Sequence, residues 1–501
     1  MGLRTLSPAS SGEPAAPQPA TARQTGVQVT RGALALLTTQ PITWASSLAT
    51  AVFIPRFLGD DGLGRYAIAW AVASFIGTIS TLGIPALLQR RVATDPERAS
   101  SYAWAAVAVT TGCWFALAAG LLGGVEIFGV QAFDLRLLPI AIGAALVGSI
   151  FAVLTAVLNG MGRHSRYAWS LAGATIANTT ASLGTLALGG GVLGLALAIL
   201  ITQSITVVVL WSTSGLRFTR GAFDLSLLRQ LVVGGLPFLG WNIAIRVRAD
   251  IDVILTGILL QSSAAGWLAA AYRIIGVAVF VPTIITTPLL PALSRNKIRP
   301  EIFRTLLGES LATVLLLTVP ISATVFAMAP LIPGLLGWSD GLQNAVPLMM
   351  VLAFQQTLVG ADMVLGTALI ALGLERRWLG VATIGAVFNP TLNLLAIPVA
   401  QSLTGNGAVG AAVVELATEC LFLAGALRLL PRGLLGRENI GHAARIVCAG
   451  GVMLAALLLV RPYGVVPALA CGGAAYAAAA TAFGVLGLRH VRAVRSAVGL
   501  A

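Results

Sequence analysis

Charged side chains are scarce in this sequence. They make up 10% of the 501 residues, whereas 57% are hydrophobic. A soluble domain has about 25% charged residues, so this chain could not cover a water-facing surface. The composition therefore excludes a soluble enzyme, a disordered chain and a nucleic-acid-binding protein.

Cysteine and histidine are also rare. The three histidines and four cysteines show no spacing typical of a metal site or a disulfide. We therefore expect neither a metal nor another cofactor. The cysteines are interpreted as small buried hydrophobic side chains, and they are Cys113, Cys420, Cys448 and Cys471.

Long apolar stretches are what the chain has in abundance. A helix needs about 20 mostly apolar residues to cross a bilayer, and alternating barrel strands do not produce unbroken runs of this length. The sequence therefore predicts an all-α polytopic membrane protein with 14 transmembrane helices. The predicted spans are 32–54, 66–88, 102–124, 137–158, 167–187, 191–212, 232–256, 265–288, 305–329, 346–371, 379–399, 407–428, 444–461 and 465–487.

The distribution of lysine and arginine predicts the orientation. Of the 31 cations, 24 fall in the two tails and in the loops on one side, and four fall on the other side. Positive charge marks the cytoplasmic side, so both termini are expected in the cytoplasm. The remaining three cations lie inside predicted spans and are Arg246, Arg248 and Arg273.

The two halves of the chain show an internal repeat of six helices. Five short motifs recur in the same order, and the overlay places Gly64 on Gly266 and Asn178 on Asn389. An even number of helices preserves orientation, so the halves are expected to be two lobes related by a pseudo-twofold axis along the membrane normal. The last two spans form an additional C-terminal helix pair.

These patterns predict five segments along the chain. Residues 1–26 are expected to be a disordered cytoplasmic tail, rich in proline and alanine. The others are an N-lobe over 27–212, an amphipathic cytoplasmic linker over 213–231, a C-lobe over 232–428, and the final helix pair with a basic cytoplasmic tail over 429–501.

The sequence resembles the polysaccharide-biosynthesis flippases. These are lipid-linked oligosaccharide flippases of the multidrug/oligosaccharidyl-lipid/polysaccharide exporter superfamily. The similarity extends from residue 30 to about residue 430 and rests on short motifs. These are Phe57-Leu58-Gly59, Gly64-Arg65-Tyr66-Ala67, Leu82-Gly83-Ile84, Ala271-Tyr272-Arg273-Ile274, Pro291-Ala292-Leu293-Ser294, Asn389-Pro390-Thr391-Leu392-Asn393 with Pro398, and Gly410-Ala411-Ala412.

The resemblance implies a transporter rather than an enzyme. Its cargo would be an undecaprenyl-pyrophosphate glycan, moved across the bacterial inner membrane by alternating access for cell-surface polysaccharide synthesis. The expected partners are this lipid-linked oligosaccharide and membrane lipids, with a polysaccharide polymerase and glycosyltransferases as further candidates. Two alternatives stay open: a cation-coupled multidrug exporter of the same superfamily, and a flippase for a peptidoglycan lipid precursor.

The buried cations are the candidate substrate-binding residues. Burying a charge at mid-bilayer costs about 3 kcal/mol, so each needs a reason. Arg246 with Asp250, and Arg248 with Asp252, have i,i+4 spacing and could form local ion pairs. Alternatively, a guanidinium of Arg246 or Arg248 binds a pyrophosphate. Arg273 has no acidic residue within a turn, so substrate contact, a bridge to span 7 or 12, and snorkelling to the interface are its alternatives.

Buried carboxylates are the candidate ion-coupling or cavity residues. Glu415 and Glu419 lie one turn apart in the twelfth span, and the repeat places them on Ile199 and Gln203 of the other lobe. Such a pair suits a proton or sodium relay, unless one of its members pairs with a buried arginine. Asp362 is a similar buried acid, and Asp250 and Asp252 complete the set.

Overall fold

The computed structural model describes residues 22–128, 133–217 and 224–485; for 22–38, Phe128 and 164–167 it describes the backbone alone. Throughout these ranges the regular structure is helical, which confirms the all-α fold. The α-helices are α1 Ala22–Ser80, α2 Ile84–Thr94, α3 Ala99–Phe128, α4 Leu138–Gly160, α5 His164–Ala187, α6 Gly191–Ser214, α7 Leu225–Leu259, α8 Ser262–Val277, α9 Phe280–Arg295, α10 Pro300–Met328, α11 Ile332–Leu336, α12 Val346–Ala371, α13 Glu375–Thr404, α14 Ala408–Leu429, α15 Arg437–Val460 and α16 Val465–Ala482.

The helices confirm a polytopic membrane protein. Within the described ranges, 11 helices are long and apolar enough to cross a bilayer, or 12 if the pair α8 and α9, bent by 49°, is one span. This count does not confirm 14 spans. The first predicted span and most of the second lie in α1, and the second ends in α2. The helix over the fifth span, α5, is not among the 11 because Asn178 and several hydroxyl side chains lower its hydropathy.

Glycines interrupt the helices where they turn. Gly59 has φ 65° and ψ −170°, which divides α1 at the junction between the first two predicted spans. Leu82 and Gly83 follow with φ of 48° and 71° and separate α1 from α2. Such values favour glycine because a Cβ is unfavourable there. Several prolines lie inside helices, at Pro41, Pro237, Pro320 and Pro390.

The repeat motifs meet at a close contact between α1 and α8. A Cβ on Gly64 would lie 1.7 Å from the carbonyl oxygen of Ser262, and a Cβ on Gly266 would lie 1.9 Å from that of Asp60. Each glycine is thus opposed by the carbonyl four residues before the other. This reciprocity is typical of a twofold relation, and it brings together the two glycines that the sequence overlay pairs.

A second repeated feature lies inside each half. Thr202 of α6 donates to Asn178 of α5 at 3.1 Å, and Asn389 of α13 donates to Thr418 of α14 at 3.3 Å. The overlay that pairs Asn178 with Asn389 also pairs the two threonines. The internal repeat therefore extends to a hydrogen bond between corresponding helices.

The predicted tails and linker are described only in part. Residues 1–21 of the N-terminal tail, 218–223 of the linker and 486–501 of the C-terminal tail lie outside the described ranges. Within the predicted N-terminal tail, α1 begins at Ala22. α7 begins at Leu225, capped by Asp224, and hydrogen bonds from the Ser226 side chain and backbone lower the pKa of this aspartate. α15 and α16 pack together against α10.

The prediction of buried cysteines is wrong for three of the four. Cys113 is half-buried, whereas Cys420, Cys448 and Cys471 are exposed on the surface of the bundle. An apolar residue of a membrane helix need not be covered by protein, because lipid is as apolar as the helix interface.

Candidate substrate and ion sites

A cavity of about 440 Å³ lies between α1, α2, α4, α6 and α7. Small residues of α1 and α4 leave the space, and hydroxyl and amide groups supply most of its polar surface. Arg246 is the one charged side chain among its described lining residues. The polar residues that line it are Ser74, Thr78, Thr81, Ser149, Gln203, Asn242 and Arg246.

Arg246 reaches this cavity while paired with an acid of its own helix. Its guanidinium donates to Asp250 at 2.9 Å, as the i,i+4 spacing predicts, and its side chain stays 38% exposed. A guanidinium has five N–H donors, so one bond to Asp250 leaves donors for an anion. The local ion pair and the cavity position therefore coexist.

Arg248 faces the other way, and the predicted pair with Asp252 is wrong. Its guanidinium instead forms an ion pair with Glu419 of α14 and lies 3.8 Å from Glu415. Residues two apart on a helix point about 200° apart, so Arg246 and Arg248 contact different neighbours. The alternative in which an α14 glutamate pairs with an arginine of the seventh span holds for Arg248.

Asp252 belongs to a buried polar network. The Tyr272 hydroxyl donates to its Oδ2 at 2.7 Å, and the Asn393 amide donates to its Oδ1 at 2.8 Å. Asn389 then donates to Glu415 at 3.1 Å, and Gln355 donates to the other oxygen of Glu415 at 2.7 Å. The network thus joins five helices of the C-terminal half: α7, α8, α12, α13 and α14.

This network holds more negative than positive charge. Asp252, Glu415 and Glu419 are buried, and Arg248 is the guanidinium that pairs with the two glutamates. In the part of the chain that the structure describes, Glu419 Oε2 has no hydrogen-bond donor. Three carboxylates beside one guanidinium leave room for a proton or a small cation, since unpaired buried charge is costly.

Arg273 lies against α1 rather than near an acid. Its guanidinium sits 5.7 Å from the centre of the Tyr66 ring and donates to the carbonyl of Thr50 at 3.5 Å. No carboxylate in the described ranges forms an ion pair with it. Of the expected alternatives, a bridge to the seventh or twelfth span is wrong: the protein contacts are with both arms of α1.

Asp362 of α12 forms no ion pair among the described residues. Its Oδ1 atom is buried without a hydrogen-bond partner among the described residues, as are both polar atoms of the Gln356 side chain. Asp362 and Gln356 therefore have buried polar atoms that no described protein group hydrogen-bonds.

Sequence reasoning missed four members of the network. Tyr272, Asn393, Asn389 and Gln355 hold Asp252 and Glu415 in place. The signal was present in Asn389-Pro390-Thr391-Leu392-Asn393, where two amides stand one turn apart in an apolar helix. The motif belongs to the family resemblance, which does not predict that its amides bind carboxylates.

Comparison with solved structures identifies the fold. The chain is similar to the lipid II flippase MurJ in an inward closed conformation, at 14% identity and a TM-score of 0.72, with 90% of this chain and 98% of that chain covered. It is also similar to an inward-facing multidrug resistance MATE family transporter of the MOP superfamily, at 16% identity and 0.54, covering 81% and 98%. The fold is that of the MOP-superfamily transporters.

The family follows from the sequence itself. Residues 29–297 match the polysaccharide biosynthesis protein family, and the chain belongs to this family. No curated protein sequence matches it. Membership of this family, together with a fold shared with a flippase and a multidrug transporter, confirms the predicted resemblance and agrees with the expectation of a transporter rather than an enzyme.

Proposed function

We propose that this protein flips an undecaprenyl-pyrophosphate-linked oligosaccharide across the bacterial inner membrane by alternating access, with both termini in the cytoplasm. The observation that carries the proposal is the cavity beside α7, where Arg246 is the charged side chain and hydroxyls and amides supply the other polar groups. A guanidinium binds phosphate oxygens bidentately, and hydroxyls and amides suit a sugar. A site for cationic drugs would instead expose carboxylates.

Arg273 supports the same cargo. Its guanidinium bridges to α1 through a carbonyl and an aromatic face, without a carboxylate to neutralise it among the described residues. A buried charge without a counter-ion is costly, so a second anion is expected to approach it. We propose that Arg246 and Arg273 bind phosphate, and that Arg248 acts indirectly through its glutamate partners.

The buried acids supply a proposal for the driving force. Glu415 and Glu419 share one guanidinium, and Asp252 is joined to Glu415 through Asn393 and Asn389, so binding of a proton or sodium ion would relieve the repulsion among these carboxylates. The polar network connects them to α7, the helix that carries Arg246. We propose that this cluster couples transport to an ion gradient. We further propose that Asp250 orients the guanidinium of Arg246, and that Asp362, whose Oδ1 atom has no hydrogen-bond partner among the described residues, is a further candidate ion-binding residue.

The test of the cargo uses a strain that lacks the native protein. We expect the native chain to restore surface polysaccharide, and Arg246→Ala and Arg273→Ala to lower it at least tenfold with unchanged membrane levels. The loss of one charged hydrogen bond costs about 1.5–3 kcal/mol, or roughly tenfold or more in binding. Arg229→Ala is the matched control, because Arg229 is an exposed arginine of the same helix.

Two results would contradict the proposal. One is normal surface polysaccharide in both arginine variants. The other is export of cationic dyes that competes with glycan export, since this would indicate the multidrug alternative.

A peptidoglycan-precursor flippase is the second candidate, because the backbone follows that of a lipid II flippase over 90% of this chain. Such a precursor is also a lipid-linked glycan anion, so the same arginines would serve. Rescue of a strain that lacks its lipid II flippase would favour this candidate. Rescue of polysaccharide export alone, in cells that carry the polymerase and glycosyltransferases, would favour the first.

A further inference from the structure

A second cavity lies in the C-terminal half, between α10 and α15. Its volume is about 1170 Å³, larger than the cavity beside Arg246. It is outside the polar network and outside the proposed cargo path. Both acids and bases line it, and they are Glu301, Arg304, Glu309, Glu438, His442 and Arg445.

The acids and arginines of this cavity do not neutralise each other. Among the described residues, no salt bridge joins Glu301, Glu309 or Glu438 to either arginine. Arg445 donates only to backbone carbonyls, at 3.3 Å to Gly441 and at 3.3 Å to Phe483. Opposite charges that face one space without pairing leave room for a ligand that carries both signs.

A polar donor and a glycine complete the cavity wall. The Nδ2 atom of Asn439 is buried without a hydrogen-bond partner in the described part of the chain. Across from it, Gly308 has no side chain, and a Cβ there would lie 2.9 Å from this amide nitrogen. The missing side chain therefore lets the Asn439 amide pack against α10. Buried polar groups are usually paired, so this unpaired donor adds to the polar character of the cavity wall.

The cavity lies where a phospholipid headgroup would lie. Both helices begin nearby, α10 at Pro300 and α15 at Arg437, on the side that the distribution of cations predicts to be cytoplasmic. Further along α10 the lining becomes apolar, with Leu311, Ala312 and Leu315. A polar mouth that leads to an apolar wall matches a headgroup followed by acyl chains.

We propose that this cavity binds a zwitterionic phospholipid with a primary ammonium group, phosphatidylethanolamine. Its phosphate would accept hydrogen bonds from Arg304 and Arg445. Its ammonium has three N–H donors for the carboxylates, whereas a choline headgroup has none. An anionic lipid would meet three glutamates without a charge to satisfy them.

Native mass spectrometry of the full-length protein tests this proposal. The protein would be reconstituted in vesicles of phosphatidylethanolamine, phosphatidylcholine and phosphatidylglycerol in equal amounts and then extracted in mild detergent. We expect retained phosphatidylethanolamine to exceed phosphatidylcholine by about tenfold, the value of one charged hydrogen bond. Glu309→Gln with Glu438→Gln should remove this preference, and Arg445→Gln should reduce retention of both lipids.

Controls separate the cavity from general surface charge. Glu97→Gln and Arg432→Gln change exposed charges outside the cavity and should retain phosphatidylethanolamine like the native chain. Gly308→Leu fills the cavity without changing charge and should lower retention. Equal retention of the ethanolamine and choline lipids by the native protein would overturn the proposal. So would an unchanged preference in both the double glutamate variant and Gly308→Leu.

Discussion

Neighbouring residues of α7 belong to two different sites, the proposed cargo site and the proposed ion site. Arg246 lines the cavity with a local aspartate as partner, and two residues later Arg248 pairs with the glutamates of α14. Asp252, one turn beyond Arg248, accepts bonds from Tyr272 and Asn393. A movement of α7 would therefore be felt at both the proposed cargo site and the proposed ion site.

The two glutamates of α14 allow ion coupling to be tested. Glu415→Gln and Glu419→Gln remove the carboxylates that would bind the ion while keeping side-chain size. We expect glycan transport in vesicles to become insensitive to sodium and proton gradients, since each variant lowers the surplus negative charge and removes a carboxylate that would bind the ion. Transport would be followed with each gradient applied in turn.

Glu375→Gln is the control for this experiment, because Glu375 is an exposed glutamate at the start of α13. It should leave the gradient dependence intact. An unchanged dependence in both network variants would make these glutamates structural partners of Arg248 and nothing more.

Local sequence could identify the buried charges but not all of their partners. The i,i+4 rule correctly paired Arg246 with Asp250, because no other acid in the described ranges forms an ion pair with that arginine. It failed for Arg248 because Glu419 and Glu415 approach from α14, in contacts made across 171 and 167 residues of chain. Helical spacing describes neighbours on one helix, whereas the charge of a neighbouring helix depends on how the helices pack.

At the scale of helices, the contact between α1 and α8 is the element that the proposed alternating access would have to open. Gly64 and Gly266 let the two backbones touch, and beside them the Ser262 hydroxyl donates to Asp61 and the Trp267 ring nitrogen donates to Asp60 at 3.4 Å. These bonds hold together the end of the bundle that the cation distribution predicts to face outward. Alternating access requires them to separate.

Cross-linking tests this element directly. In the variant Asp61→Cys with Ser262→Cys, a short bifunctional thiol reagent should join the two helices, because the native side chains are hydrogen-bonded. We expect the cross-linked protein to lose transport and to recover it when a reductant cleaves the linker. Loss of glycan transport in proteoliposomes would be the readout.

Each single variant, treated with the same reagent, is the control and should transport normally. Full transport by the cross-linked double variant would contradict the assignment of this contact as a gate. The sequence overlay paired Gly64 with Gly266 but could not show that they touch, because a repeat fixes equivalence and not distance.

At the scale of the whole molecule, hydrophobic patterning predicted most of the architecture. Apolar runs and the six-helix repeat placed nearly every helix, because the bilayer imposes length and helicity on each span. The breaks were harder: they fall at Gly59 and at Leu82-Gly83, where positive φ values end the helix, while the more conspicuous prolines stay inside helices. The cavity depends on which small residues face each other, which patterning does not specify.

We propose that Arg246 and Arg273 recognise the pyrophosphate of a lipid-linked oligosaccharide. The most direct measurement is flipping of a fluorescent undecaprenyl-pyrophosphate oligosaccharide in proteoliposomes that contain the purified protein. We predict rapid flipping by the native chain and by Arg229→Ala, and at least tenfold slower flipping by Arg246→Ala and Arg273→Ala. Equal rates for all four proteins, or no flipping by the native chain under any ion gradient, would contradict the account.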